Sequence, residues 1–218
     1  MSSRHKARQI AIFVEGDTER GPTGQRTLAP FFGRWLDPQL PKTSRVGIKT
    51  VKFQGVSNYL DDLVQKLEAH LSQPKTNFVI GLVDLYGLPP NRIDLSGCTT
   101  VAERVAEARK AIYSKVPKPL KAGFRQHFAV HEVEAWLLAY PDQWPPKVRG
   151  QISKRLPEEV NLDEPPAKFL KRILGGKYKK IVRAKNILGR VDPQIAIDKC
   201  PHLKQLANDL LRVARRLE

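Results

Sequence analysis

Three apolar runs in this chain stop at acidic residues. In "IAIFVEGDTER" (Ile10–Arg20) five apolar residues lead into Glu15, with Glu19 one turn further on. "FVIGLVD" (Phe78–Asp84) ends in Asp84, and "FRQHFAV" (Phe124–Val130) runs into "HEVEAW", which supplies His131, Glu132 and Glu134. Ligands of an open parallel sheet bind beyond the carboxyl ends of its strands. Acids gathered there form a set of hard oxygen donors of the kind that holds Mg²⁺ or Mn²⁺. Two such ions can activate a water and neutralise the leaving oxygen in phosphodiester cleavage. A bound cation would also reconcile these carboxylates with a chain of formal charge +16, because the metal rather than the acids would face a phosphate. His131, alone beside acids, suits a supporting hydrogen bond better than direct ligation. Each acid taken singly is better explained as a cap on the following helix. Their recurrence at three strand ends is what points to chemistry.

The elements that must position these residues can be read from periodicity. Strands are expected at Ile10–Glu15, Arg45–Phe53, Phe78–Asp84 and Phe124–Val130. Helical patterns lie between them at Thr27–Leu36, Ser57–Leu71 and Thr100–Val116. In the second helix Leu60, Leu63, Val64, Leu67 and Leu71 share one face and Ser57 is the expected N-cap; in the third, Thr99 or Thr100 can cap and Val101, Val105, Ala108 and Ile112 form the buried stripe. Strands alternating with helices of this length imply βαβ units and a mostly parallel sheet covered on both faces. The first and third strands are apolar on both sides, as central strands are, whereas Lys49 and Lys52 place the second nearer an edge. The expected fold is therefore α/β: about four mainly parallel strands flanked by helices, over residues 1–144. Residues 145–218 read as a basic, mostly helical extension packed on that domain.

Composition narrows the partners. There are 38 Lys+Arg against 22 Asp+Glu, and the pI is near 10. Such a surface attracts polyanions by long-range Coulomb steering, so nucleic acid, DNA or RNA, is the leading partner. No apolar run is long enough to span a bilayer, and the run after the basic N-terminus is too short for a signal-peptide core. Cys98 and Cys200 are far apart and neither sits in a metal-binding cluster, which fits a reducing cytoplasm. "GPTGQ" lacks the G-K-[ST] ending of a P-loop, so no nucleotide hydrolysis is expected of this chain.

The basic excess is concentrated. Residues 145–218 hold 18 Lys/Arg and 8 Asp/Glu, about +10 of the +16. Within them "AKFLKRILGGKYKK" places Lys168, Lys171 and Arg172 within about one helical turn and Lys177, Lys179 and Lys180 after a Gly175-Gly176 break. Such side chains neutralise phosphates without reading sequence. Phe169, Leu170, Ile173 and Leu174 are expected to pack the same helix onto the sheet, with Trp136 in the core and Trp144 as a loop anchor.

Glu15-Gly16, Thr18-Glu19 and Asp84, each beside a strand end, resemble a Toprim-type domain, the α/β metal-binding module of topoisomerases, primases and overcoming-lysogenization-defect (OLD) nucleases. The closer resemblance is to a bacterial domain family of unknown function related to that superfamily, carried by "VEGDTER", "VDLYGLPP", "HEVEAWLLA", "LPEEVNLDEPPAKFLKRIL" and "CPHL". The resemblance implies a Toprim-like sheet and a metal-binding or acid/base role for Glu15. It makes Asp84 the first acid of the Toprim D-x-D pair, and members of the family often accompany AAA-type ATPases in phage-defence loci. The second acid of that pair is here Tyr86, which removes one expected ligand. Glu19, Glu132 or Glu134, expected at the same sheet edge, could compensate; otherwise activity is lost. Two functions follow: a Mg²⁺- or Mn²⁺-dependent nuclease using Glu15, Asp84 and Glu19, or a non-catalytic nucleic-acid-binding or adaptor subunit of an ATPase complex. A small phosphoester hydrolase using the same acids is a third, weaker reading, and the oligomeric state is left open.

Overall fold

The computed structural model describes residues 8–16, 27–42, 45–152, 157–158, 165–175 and 179–217, with the side chains of Glu132, Lys180 and Ile181 outside this set. Of the expected site residues, Glu19 and Lys177 lie outside the described residues, as do the side chains of Glu132 and Lys180. In chain order the elements are β1 (Gln9–Val14), α1 (Leu28–Leu36), β2 (Gly47–Lys52), α2 (Val56–Leu71), β3 (Thr76–Asp84), α3 (Val101–Lys115), α4 (Lys118–Lys121), β4 (Phe124–Ala129), α5 (Glu132–Leu138), α6 (Pro146–Arg149), α7 (Pro166–Leu174), α8 (Lys180–Leu188), α9 (Pro193–Lys199) and α10 (Pro201–Arg216).

Among the described residues the strands form one sheet of order β2-β1-β3-β4, with every pairing parallel. Alternation along each strand divides the core in two. Ile10, Ile12, Val14, Ile48, Phe78, Ile80, Leu82 and Ala129 face one layer, and Ala11, Phe13, Val79, Val83, Phe124 and Phe128 face the other. Against the second face lie α2 and α3, through Leu60, Leu63, Leu67, Val105, Ala108 and Ile112. Against the first lie α1, α5 and the helices after residue 145, with Leu170, Ile187, Leu203 and Leu210 in one continuous apolar cluster with the strands. Both faces of β1 and β3 are thus covered, which is why these strands read as unbroken apolar runs.

Local chemistry sets the helix ends. Thr100 caps α3 by accepting the Glu103 amide at 3.2 Å, while the Glu103 carboxylate accepts the Thr100 amide at 3.1 Å, a reciprocal capping box. The expected cap on α2 is corrected: Ser57 lies inside the helix, which starts one residue earlier behind Gly55 at φ 89°. The turn from β2 into α2, where the Gly55 amide bonds the Glu15 carbonyl beyond β1 at 2.9 Å, requires a backbone that glycine adopts at least cost. Trp136 and Trp144 are both buried, and the Trp144 indole donates to the Leu137 carbonyl at 3.1 Å. No described helix is long and apolar enough to cross a membrane.

Candidate acid site at the carboxyl edge of the sheet

Register brings the first two acids together. Val14 of β1 pairs with Leu82 of β3, so Glu15 leaves the sheet level with Val83, one residue short of Asp84. The turn after β3 then folds Gly87 against both. A Cβ placed on Gly87 would lie 3.3 Å from the Asp84 Cβ and 3.9 Å from Glu15 Oε1. The Glu15 carboxylate and the Cβ of Asp84, both half-buried residues at the ends of neighbouring parallel strands, therefore border one exposed glycine, whose missing side chain leaves space beside them. The strand end is pinned on both sides: the Phe53 amide bonds the Val14 carbonyl at 2.8 Å, and the Leu85 amide bonds the Ala129 carbonyl at 3.1 Å.

Tyr86 follows Asp84 onto the surface with 48% of its area exposed. Its ring stacks on His131, with centroids 4.6 Å apart and planes 22° from parallel, and the Arg104 guanidinium of α3 sits 5.7 Å from the Tyr86 centroid. His131 links β4 to α5 in a left-handed conformation, φ 62° and ψ 41°, uncommon for a residue with a side chain. Burial pushes its imidazole down to about 4, the neighbouring His202 adds to the shift, and a hydrogen bond with the Glu158 backbone opposes it. At neutral pH His131 is therefore an uncharged ring behind Tyr86. The position of the expected second acid is occupied by an aromatic platform.

The remaining acids are distributed differently. Glu134 is fully buried on α5, a helix that packs against α7 and α8. Among the described residues no group of three or more His, Cys, Asp or Glu side chains converges into a metal-binding cluster. Glu15 and Asp84 end adjacent strands beside Gly87, and Mg²⁺ is commonly held through one or two carboxylates with water or phosphate in the other positions. Glu158, which the sequence did not single out, accepts the amides of His202 at 2.8 Å and Leu203 at 3.3 Å and so caps α10. Burial raises its carboxyl to about 7, against the lowering effect of those two amides and of Trp136. Forty-four residues separate it from His202, so no local spacing rule reveals the contact.

The basic face lies on α7. Pro166, Leu170 and Ile173 are buried, while Lys168, Lys171 and Arg172 are exposed, as is Lys179 beyond it. Phe169 and Leu174 are partly buried against the same core. Because α7 packs on α5, and α5 starts directly after His131, the basic helix is tied to the edge that carries the acid pair.

A family model described as a domain of unknown function, DUF4276, matches residues 14–211. The chain belongs to that family, which covers both the sheet and the C-terminal helices. No curated protein and no solved structure matches it significantly.

Proposed function

For this member of DUF4276 we propose a metal-dependent, nuclease-like activity on DNA or RNA phosphodiesters, carried by a Toprim-like sheet in the cytoplasm and used in phage defence with an AAA-type ATPase partner. The observation that carries the reading is the meeting of Glu15 and Asp84 around Gly87 at the carboxyl ends of adjacent parallel strands. These two carboxylates would hold Mg²⁺ or Mn²⁺. When bound, the ion supplies a more acidic water and charge neutralisation at the phosphate. Gly87 leaves room for the phosphate against the pair. Lys168, Lys171, Arg172 and Lys179 would hold the strand by its backbone, and the exposed ring of Tyr86, steadied by neutral His131, offers a flat surface for a base or sugar.

One observation favours a second reading, a non-catalytic nucleic-acid-binding or adaptor subunit. Tyr86 stands where the second acid of a D-x-D pair would be, and it is stacked in place rather than left as a gap. A single experiment separates the two. Purified protein is incubated with plasmid, single-stranded DNA and total RNA in Mn²⁺, Mg²⁺ or EDTA, beside Glu15→Gln and Asp84→Asn. Metal-dependent cleavage reduced at least about 100-fold in both variants establishes the enzyme. Salt-sensitive binding without cleavage, in the presence of the partner ATPase, gives the adaptor.

A further inference from the structure

The outer edge of β4 carries a second polar site, away from the acid pair at the ends of β1 and β3. A cavity of about 310 Å³ lies there between α3 on one side and α10 on the other, lined by Arg109, Arg125, His127, Gln205, Asn208 and Asp209. Its volume is at the lower end for small-molecule sites, and larger than a bare phosphate requires.

The two arginines are held in place by the strand itself. Arg109 Nε donates to the Gln126 carbonyl at 3.3 Å; Arg125 Nη1 donates to the carbonyls of Phe124 at 2.8 Å and Lys121 at 3.2 Å, with its guanidinium 5.8 Å from the Phe78 centroid. Among the described residues neither guanidinium has a carboxylate ion-pair partner, so each keeps N–H donors for a ligand. The one acid in the lining, Asp209, is already engaged: Oδ2 meets buried His127 Nε2 at 3.0 Å and Oδ1 accepts from Arg212. His202, nearby on α10, is pushed down by burial and then by the charge of Arg109. Two oriented guanidiniums beside the hydrogen-bonded Asp209 and His127, with the amides of Gln205 and Asn208 at the rim, form a cationic recess with planar donors.

We infer that this cleft binds a phosphate monoester, the phosphate seated between Arg109 and Arg125 and an attached polar group reaching Gln205 and Asn208. Guanidinium pairs favour phosphate because their N–H groups match its oxygens two at a time. A free metabolite and the phosphorylated end of a nucleic-acid strand present the same group. The inference does not depend on cleavage or on a metal.

The test is isothermal titration calorimetry on the full chain in EDTA at constant ionic strength, with inorganic phosphate, a nucleoside 5′-monophosphate, and a short oligonucleotide with and without a 5′-phosphate. The expected result is saturable binding of phosphate and of the monophosphate. It should be weakened at least about tenfold by Arg109→Gln and by Gln205→Glu, and unchanged in Glu15→Gln. Gln205 is exposed on α10, so its replacement tests the site even if Arg109→Gln perturbs the strand edge. An oligonucleotide bound tightly only with its 5′-phosphate identifies a strand end as the source; a monophosphate bound more tightly than either oligonucleotide identifies a metabolite. Absence of saturable binding, binding indifferent to Gln205→Glu and Arg109→Gln, or binding lost instead in Lys171→Ala would overturn the assignment.

Discussion

Gly81 shows how closely single residues are fitted in the sheet. It lies in β3 where the Tyr59 hydroxyl of α2 donates to Gln126 Oε1 of β4 at 2.5 Å, and a Cβ on Gly81 would collide with both atoms. The pair is buried, so neither group can turn to water, and burial raises the Tyr59 phenol well above its ordinary value. Gly81→Ala must break the bond or displace β3 against α2, at a cost of about 1–3 kcal/mol. Chemical denaturation would show it as a lower midpoint, and a midpoint equal to wild type would mean that the bond does not depend on the missing side chain. At the same scale, Gly87 keeps space beside Glu15 and Asp84, and the Tyr86 ring stacks on His131. The sequence marked Glu15 and Asp84 because each stands at the end of an apolar run; it marked Tyr86 only through the resemblance to a D-x-D motif. It marked neither Glu158 nor the Arg109–Arg125 pair, since their partners are distant along the chain.

At the scale of the element, α10 joins a buried carboxyl group to a helix terminus. Pro201 begins the helix, the preceding Cys200 makes no side-chain cap, and Glu158 supplies the acceptor from outside. Its carboxyl titrates near 7 in the folded chain and near 4.5 in the unfolded one, so the folded state holds the proton more tightly. The stability this confers is fully present below about pH 4.5 and is lost as pH rises through 7. Glu158→Gln keeps an acceptor and removes the titration. Its stability relative to wild type should rise by up to about 3 kcal/mol between pH 4.5 and 8. Urea melts of both proteins across that range would measure the difference, and a difference independent of pH would show that Glu158 is not held in its acid form. The α3 cap was legible as Thr99 or Thr100, and the structure selects Thr100, whose partner Glu103 stands three residues on. The α2 start was missed by one residue, because Gly55 is set by its bond to the end of β1 rather than by a local cap.

For the whole molecule, the unequal distribution of charge is the feature with the widest consequence. The sheet's carboxyl edge carries the acid pair, while Lys168, Lys171 and Arg172 project from the exposed side of a helix whose other side is sealed into the core. If that face neutralises backbone phosphates, affinity for duplex DNA falls steeply with salt. Replacing Lys171 and Arg172 together by glutamine should then reduce the slope of log K against log salt by about 1–2. Fluorescence anisotropy over a salt series gives the slope, and an unchanged slope would remove α7 from the interface.

The sequence by itself determined the four strands to within a residue or two, their parallel arrangement, and the acids at their ends. It also marked α7 as apolar on one side and basic on the other. These follow from patterns of two and 3.6 residues and from short offsets, all contained within single segments. The tertiary structure decided what no segment contains. Register between β1 and β3 brought Glu15 within reach of Asp84, and burial rather than sequence made His131 neutral and Glu158 a weak acid. The approach of α10 to β4 joined Asp209 to His127 across 82 residues. Such contacts depend on how separate elements pack, and packing is selected by the whole core at once rather than by any stretch of chain.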